Sequence, residues 1–170
     1  LAGGIHDHIG GGFHRYATEE RWHVPHFEKM LYNQAMMALV LARLFEDTGE
    51  ARYKRALERL IAYVERDMTD AETGGFYSAQ DAETDEVEGA YYVWRTEMLE
   101  QALNADQHKV LMDVYDLADI PDIPGHKSPE GGVLYAKKDI VETSDQLDDV
   151  LDALLAVREK REAPSRDQKI

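Results

Sequence analysis

The residues best suited to acid–base chemistry lie near the start of the chain. Three glycines at 10–12 precede His14, and Pro25 is followed by His26 and Glu28. Glycine allows a backbone to approach another group closely and to adopt positive φ. Histidine beside carboxylates is the usual equipment for proton transfer near neutral pH. We therefore expect the segment 10–28 to be a functional loop in which His14 and His26 donate or accept protons.

A second group of polar residues flanks two predicted strands further along the chain. Gln80 and Asp81 follow the segment 75–79, and Glu88 precedes the segment 90–94. The pairing of these segments as a hairpin would bring the two carboxyl groups together, as glycoside hydrolysis requires. Asp81 and Glu88 are therefore predicted as catalytic partners of the histidines. The residues predicted to hold a ligand are Arg15, Tyr16, Trp22, Glu28, Tyr32, Gln80, Tyr92 and Trp94.

Structural and metal-binding roles are alternatives for the same histidines. Buried histidines often only satisfy backbone carbonyls, which is the alternative for His14 and His26. His6-x-His8 and His23-x-x-His26, with Asp7 and Glu28 nearby, offer zinc or manganese ligands, but their spacing matches no compact metal-binding template. The acidic segment 81–88 lacks the EF-hand pattern and is interpreted as solvated charge. No metal site is assigned.

The hydrophobic pattern predicts that helices position these residues. Residues 27–48 are apolar on nearly all sides, which indicates a helix buried all round, and 50–68 carry one apolar stripe. A short turn ending at Gly49 predicts an antiparallel hairpin in which the first helix lies inside and the second outside. The further predicted elements are a short helix from Thr96, a helix at 106–117, a loop at 121–132 and a last helix from Ser144 or Asp145.

The composition limits the class of protein. The chain has 170 residues, of which 44% are hydrophobic, which fits one globular domain. A net charge of −15 disfavours nucleic acid and anionic membrane as partners. With no cysteine, no signal peptide and no segment of about 20 apolar residues, we expect a cytoplasmic protein. No nucleotide-binding fingerprint, P-loop or serine-nucleophile elbow occurs, so no cofactor is assigned.

Three segments carry a resemblance to a known family. Residues 3–35 (GGIHDHIGGGFHRYATEERWHVPHFEKMLYNQA), 74–94 (GGFYSAQDAETDEVEGAYYVW) and 161–170 (REAPSRDQKI) resemble the spermatogenesis-associated thioredoxin-domain proteins. The resemblance covers nearly the whole chain. It implies an upstream thioredoxin-like domain, absent here, and a helical domain similar to six-hairpin glycosidases and N-acylglucosamine 2-epimerases.

The fold expected from both arguments is mainly α. Residues 1–170 would form one fragment of an (α/α)6 toroid of helical hairpins, with a short β-hairpin near 75–94. In toroid relatives the active site lies at the mouth of the ring, where 10–28 and 75–94 would meet. The expected function is binding, isomerising or hydrolysing a small saccharide-type ligand. The alternative is a non-catalytic scaffold that serves the thioredoxin-like domain.

An inner helix without its neighbours would expose apolar surface. Met36, Met37, Val40 and Leu44 are the residues concerned. Because contiguous exposed apolar surface promotes association, we expect the isolated chain to self-associate or to be partly disordered, especially at 118–132 and after Glu159.

Overall fold

The architecture is mixed α/β and not mainly α. The computed structural model describes residues 1–121, 127–138 and 144–167. Within them the helices are α1 (Leu31–Thr48), α2 (Ala51–Asp67), α3 (Thr96–Ala102), α4 (Ala105–Val114) and α5 (Asp145–Arg158). The strands are β1 (Tyr16–Ala17), β2 (Pro25–His26), β3 (Lys29–Met30), β4 (Ala79–Gln80), β5 (Glu83–Thr84), β6 (Val87–Glu88), β7 (Tyr115–Asp119), β8 (Gly132–Ala136) and β9 (Arg166–Asp167). The prediction of a partial (α/α)6 toroid is wrong, because the described residues also form four small antiparallel sheets, and among their five helices one pair, α1 and α2, forms a long hairpin.

The predicted α1–α2 hairpin is confirmed. Gly49 ends α1 in the left-handed conformation, with φ of 68°, and its N–H donates to the Phe45 carbonyl at 2.8 Å. A glycine adopts this conformation without steric penalty. Leu41 of α1 and Leu60 of α2 are buried against Phe13 from the preceding loop. The hairpin therefore supports the segment that leads into the candidate site.

The prediction that α1 is buried all round is wrong. Of its residues only Gln34 and Leu41 are buried, whereas Met36 is 61% and Leu39 67% exposed. The helix also begins at Leu31 rather than Phe27. The reason is that Lys29–Met30 pair with Ala79–Gln80, and the Leu31 N–H donates to the Ser78 carbonyl at 2.9 Å. Although α1 carries apolar residues around its whole circumference, one of its faces is exposed to solvent.

The hairpin near 75–94 lies at other residues than predicted. Val87–Glu88 pair with Glu83–Thr84, so the hairpin is the acidic segment itself. Ala79–Gln80 instead form the centre of a three-stranded sheet, between Lys29–Met30 and Arg166–Asp167. Asp85 and Glu86 have positive φ, as the two central residues of a type I′ turn require. The aromatic and β-branched content of 75–79 and 90–94 was therefore misleading: Tyr91, Tyr92 and Trp94 are buried in the core, whereas Phe76 is exposed.

The second half of the described chain packs around α5. Leu147, Val150, Leu151 and Leu154 form the buried stripe predicted from the sequence, and Ser144 caps the helix by accepting from the Leu147 N–H. The predicted helix at 106–117 ends at Val114, and 115–119 pair as a strand with Gly132–Ala136. The sequence did not predict this strand pair.

Two predicted disordered segments are described only in part. Residues 122–126 and 168–170 lie outside the described residues. Within 118–132 and 160–167, Ala118–Asp119 and Gly132 belong to β7 and β8, and Arg166–Asp167 form β9. No helix within the described ranges combines the length and apolar character needed to cross a membrane.

A buried cluster of charges ties the N-terminal loop to the end of α5. The Asp7 carboxylate accepts two hydrogen bonds from Arg158, both at 2.8 Å, and one from Lys29 Nζ at 2.7 Å. All three side chains are buried. Although burial opposes ionisation, the charges of Arg158 and Lys29 hold the pKa of Asp7 well below its ordinary value. Burial lowers the pKa of Lys29 to about 8, so this side chain is cationic at neutral pH. The cluster fixes the loop from which His14 and the β1 strand follow.

Gly89 allows Phe27 to approach the end of the β5–β6 hairpin. Its φ is +80°, and an added Cβ would lie 2.5 Å from the Phe27 ring. Gly89→Ala should therefore lower the free energy of unfolding by about 3 kcal/mol, from left-handed strain and overpacking together. Gly74→Ala is the matched control: its φ is +71° and no atom lies within 4 Å of an added Cβ, so only the strain of about 1 kcal/mol remains. Equal losses for the two variants in urea unfolding would contradict the packing role of Gly89.

Candidate functional site

The candidate site is built on a contact between the N-terminal loop and the acidic hairpin. His26 Nδ1 lies 2.7 Å from Glu88 Oε1, and the backbone N–H of Phe27 donates to the same oxygen at 3.2 Å. His26 lies on β2 and Glu88 on β6. Because the Glu88 carboxylate accepts from the backbone next to His26 as well as from the ring, it fixes the orientation of the imidazole. The predicted meeting of the two distant segments therefore occurs through these two residues.

The proton arrangement of His26 follows from this contact. A carboxylate oxygen only accepts hydrogen bonds, so the neutral imidazole carries its proton on Nδ1 and donates it to Glu88. The Nε2 atom then has a free lone pair. Glu28 Oε2 lies 3.7 Å from Nε2, which is beyond hydrogen-bond distance. His26 can therefore accept a proton at Nε2 and return it, with Glu88 stabilising the cation.

A cleft of about 260 Å³ adjoins this pair. Loop residues around His26 form one wall, the β5–β6 hairpin forms a second, and the residues on both sides of 122–126 form a third. Its lining is Tyr16, Thr18, Val24, Pro25, His26, Phe27, Glu83, Glu86, Glu88, Ile120, Pro121, Lys127, Ser128 and Pro129. Apolar walls with a few polar groups are typical of small-molecule sites, and this volume suits a ligand smaller than a drug-sized molecule.

An aromatic ring and an ion pair extend the site beyond His26. The half-exposed Tyr16 ring stacks on the His26 imidazole with centroids 4.9 Å apart. Arg15 donates to Glu28 at 2.8 Å, and Glu28 together with Tyr32 raises the pKa of Arg15. Arg15 and Glu28 are thus positioned beside His26, although neither lines the cleft.

The cleft carries an excess of negative charge. Three glutamates, Glu83, Glu86 and Glu88, face it, and Lys127 is the cation among the lining residues. Lys127 Nζ lies 3.7 Å from Glu86 Oε2, so that charge is already partly neutralised. An anionic ligand would meet repulsion here, whereas a neutral or cationic one would not.

Four of the predicted site residues belong to the core instead. His14 is buried, its Nδ1 lies 2.9 Å from the Phe27 carbonyl, and burial lowers its pKa to about 3. Gln80 Oε1 accepts hydrogen bonds from the hydroxyl groups of Tyr63 and Tyr92. Trp94 is only 1% exposed, with the Arg161 guanidinium 4.1 Å from its ring. None of these side chains lines the cleft, so the structure supports the alternative of a structural role for His14.

Three other predicted residues are exposed away from the cleft lining. Asp81 accepts from the Ser165 hydroxyl at 3.3 Å and from the Glu83 N–H at 3.2 Å. Trp22 is 57% exposed and has a φ of 63°, and Tyr32 lies on the exposed side of α1. The structure therefore does not place Asp81 with His26, in contrast to the sequence prediction.

Sequence reasoning missed two parts of the arrangement. Glu83, Glu86 and Lys127 were treated as solvated charge or loop, because the pairing of 83–84 with 87–88 was not recognised. Residue types offered no hairpin signal at this turn, because Asp85 and Glu86 both adopt positive φ and neither is glycine or asparagine. The Asp7–Lys29–Arg158 cluster was also missed. Its signal was a single lysine at the start of a long apolar segment, since a buried charge needs a partner.

The histidine pairs considered for a metal do not assemble into a ligand set. Across residues 1–121, 127–138 and 144–167, no three His, Asp or Glu side chains form a group that could hold a metal ion. His6 and His8 instead pack their rings edge to face at 4.7 Å, and His23 stacks on Tyr135 at 3.8 Å.

Comparison with known proteins supports the family resemblance. The chain is 38% identical to mouse and 39% identical to human spermatogenesis-associated protein 20, in each case over 144 residues, or 76% of this chain. It is 42% identical to the rat protein over 107 residues, or 59% of the chain. No protein-family model matches the chain. The chain spans about 18% of the length of the mouse and human relatives, so these similarities concern one segment of much longer proteins.

Proposed function

We propose that the cleft between the N-terminal loop and the acidic hairpin binds a small neutral or cationic saccharide-type ligand, and that His26 transfers a proton to or from it. The observation that carries the proposal is the 2.7 Å contact between His26 Nδ1 and Glu88 Oε1 at the wall of this cleft. A histidine oriented by a carboxylate, with its second nitrogen free, is a recurring acid–base arrangement.

A few residues around His26 would contact the ligand or position the groups that do. Tyr16 offers a flat ring on which the apolar face of a sugar can stack. Glu83 and Glu86 offer acceptors for hydroxyl or ammonium groups of the ligand. Arg15 restrains Glu28 next to His26, so Glu28 contributes negative charge near Nε2 without lying within hydrogen-bond distance of it.

Proton transfer by a single base, as in an isomerisation that removes and returns the proton on one face of the sugar, fits this arrangement better than glycoside hydrolysis. Hydrolysis needs one carboxyl group on each side of the scissile bond. Asp81 does not line the cleft, Glu88 Oε1 is occupied by His26 and Phe27, and Glu86 is paired with Lys127, which leaves Glu83 as one further lining carboxylate. A single histidine that cycles between neutral and cationic forms needs no second free carboxylate. The number of free carboxyl groups in the cleft therefore favours proton transfer over hydrolysis.

A thermal-shift screen with neutral hexoses, amino sugars and sugar phosphates tests binding. A ligand at 100 times its Kd stabilises the folded state by about 2.7 kcal/mol, so a binding sugar should raise the Tm measurably. We expect neutral or amino sugars to raise the Tm and sugar phosphates to leave it unchanged. His26→Gln should reduce or abolish the shift, Glu88→Gln should reduce it only slightly, and Asp81→Asn, outside the cleft, should retain it.

Turnover of the bound sugar separates acid–base chemistry from simple binding. Glu88→Gln keeps the side-chain shape and an oxygen that accepts from Phe27 N–H and His26 Nδ1, but the neutral amide no longer stabilises the protonated imidazole. We expect this change to lower turnover by about 10²–10⁴-fold with a smaller effect on binding. Unchanged turnover in both His26→Gln and Glu88→Gln would remove the proposed mechanism.

The alternative function is docking of a thioredoxin-like domain of the kind that the family resemblance implies. The exposed Trp22 favours it, because aromatic anchors dominate many protein interfaces. In that case no sugar shifts the Tm of the wild-type chain, and Trp22→Ala weakens association with the added domain.

A further inference from the structure

The carboxylates of the cleft differ in whether the protein itself already pairs them. Glu88 Oε1 lies 2.7 Å from His26 Nδ1, and Glu86 Oε2 lies 3.7 Å from Lys127 Nζ. Glu83 lines the same cleft, but its carboxylate has no hydrogen-bond or ion-pair partner in the part of the chain that the structure describes. Glu83 is therefore the lining carboxylate that a ligand can use without displacing a protein partner.

The β5–β6 strand pair places Glu83 next to the carboxylate that holds His26. Glu83 and Glu88 are direct partners in the antiparallel register, so their side chains lie side by side on one face. Like charges directly opposite one another weaken a strand pair. A cation bound to Glu83 would offset this repulsion, whereas a neutral ligand would leave it. The strand register thus favours a cationic ligand at this position.

An ammonium group suits Glu83 better than a metal ion does. Protein sites for metal ions combine several donor side chains, and no three His, Asp or Glu side chains within the described ranges form such a group. An ammonium group needs only acceptors for its N–H donors, which one carboxylate and the surrounding water supply. We propose that the ligand of the cleft carries a protonated amine and that Glu83 selects it. This inference rests on the proposed binding of a saccharide-type ligand, and it narrows that class to sugars with a free amine.

The charge of the amine, and not its nitrogen atom, determines the expected preference. Acetylation turns the ammonium group into a neutral amide, so an N-acetylated sugar should lose the advantage and bind like a neutral hexose. Glu83 is exposed, so solvent screens its attraction for a cation. We therefore expect a preference of about fivefold in Kd for the protonated amine.

NMR titration of the 170-residue chain with glucosamine, N-acetylglucosamine and glucose tests the selection. At pH 7 the amine of glucosamine is mostly protonated, and the wild type should bind it about fivefold more tightly than the other two sugars. Glu83→Gln keeps the size of the side chain and removes its charge, so the three Kd values should become equal. Asp85→Asn is the matched control: it removes the same charge from the adjacent turn, outside the cleft lining, and should keep the preference.

The outcomes separate this inference from the proposed function. Equal Kd values for glucosamine and glucose in the wild type would overturn the selection of an amine and leave sugar binding intact. A preference lost to the same extent in Asp85→Asn and Glu83→Gln would assign it to the overall negative charge and overturn the role of Glu83. If none of the three sugars binds, the proposed function fails together with this inference. The spectra of the two variants without ligand show directly that both are folded.

Discussion

Asp7→Asn is expected to lower the free energy of unfolding by about 3–5 kcal/mol, as measured by urea denaturation at pH 7. The amide cannot neutralise Lys29 and Arg158, which donate to Asp7 from buried positions at 2.7 and 2.8 Å. Two cations would then remain in the interior without their counter-ion. Small domains are stable by only about 5–15 kcal/mol, so the variant should be close to unfolding at room temperature.

Two further variants make this expectation specific. Asp152→Asn removes a carboxylate that pairs with Arg59 at 2.9 Å at an exposed position, and it should lose less than about 1 kcal/mol. Lys29→Met removes one buried cation and leaves the double hydrogen bond between Asp7 and Arg158 intact, so its loss should be smaller than that of Asp7→Asn. The counter-ion role of Asp7 would be refuted if Asp7→Asn and Asp152→Asn had the same effect.

Local sequence signals predicted the helical parts that depend on local interactions. Gly49 as a C-cap, Ser144 as an N-cap and the leucine stripe of α5 all occur where the sequence places them. Each of these features is decided within a few residues, either by backbone freedom or by hydrophobic spacing. The α1–α2 hairpin was predicted for the same reason, since a very short turn leaves few other arrangements.

The sheets were not predicted because their partners are distant in the chain. Ala79–Gln80 pair with Lys29–Met30 on one side and Arg166–Asp167 on the other, and two-residue strands carry no alternation that could be recognised. The wrong expectation of a toroid also came from an inference about distant neighbours. It required α1 to be covered on all sides, but the number of apolar residues in a helix does not say how many neighbours surround it.

Some of the predicted site residues lie at the candidate site and others lie in the core, and the difference has a physical cause. His26 and Glu88 were both expected at the site, and they meet although β2 and β6 belong to different sheets, because the Glu88 side chain reaches both the imidazole and the Phe27 N–H. His14, Gln80 and Tyr92 have the same residue types as site residues but satisfy one another and the backbone inside the core. Residue type alone does not distinguish a polar group that faces a ligand from one that faces a carbonyl.

The buried histidines should make the fold sensitive to mild acid. Burial lowers the pKa of His8 to about 4 and that of His14 to about 3, and it lowers the pKa of His6 well below the ordinary value. In the unfolded chain each histidine titrates near its ordinary pKa of about 6.5. Between these values the unfolded state binds more protons than the folded state. Their stabilising contribution is therefore complete above pH 6.5 and is lost as the pH falls toward the folded pKa values.

We expect the free energy of unfolding to fall by about 6 kcal/mol between pH 6.5 and 4.5, since three histidines take up protons on unfolding and each contributes about 1.4 kcal/mol per pH unit once the pH is below its unfolded pKa. The ordinary pKa of an aspartate already lies below pH 4.5, and the pKa of Asp7 is lowered further. Protonation of Asp7 therefore adds little to the loss of stability between pH 6.5 and 4.5. His14→Gln should reduce the slope of stability against pH by about one proton, whatever its effect on stability at pH 7. Urea denaturation across this range measures the slope. A wild-type stability that is flat from pH 6.5 to 4.5 would show that the histidines are not held neutral in the folded state, because the linkage between proton uptake and unfolding leaves no other outcome.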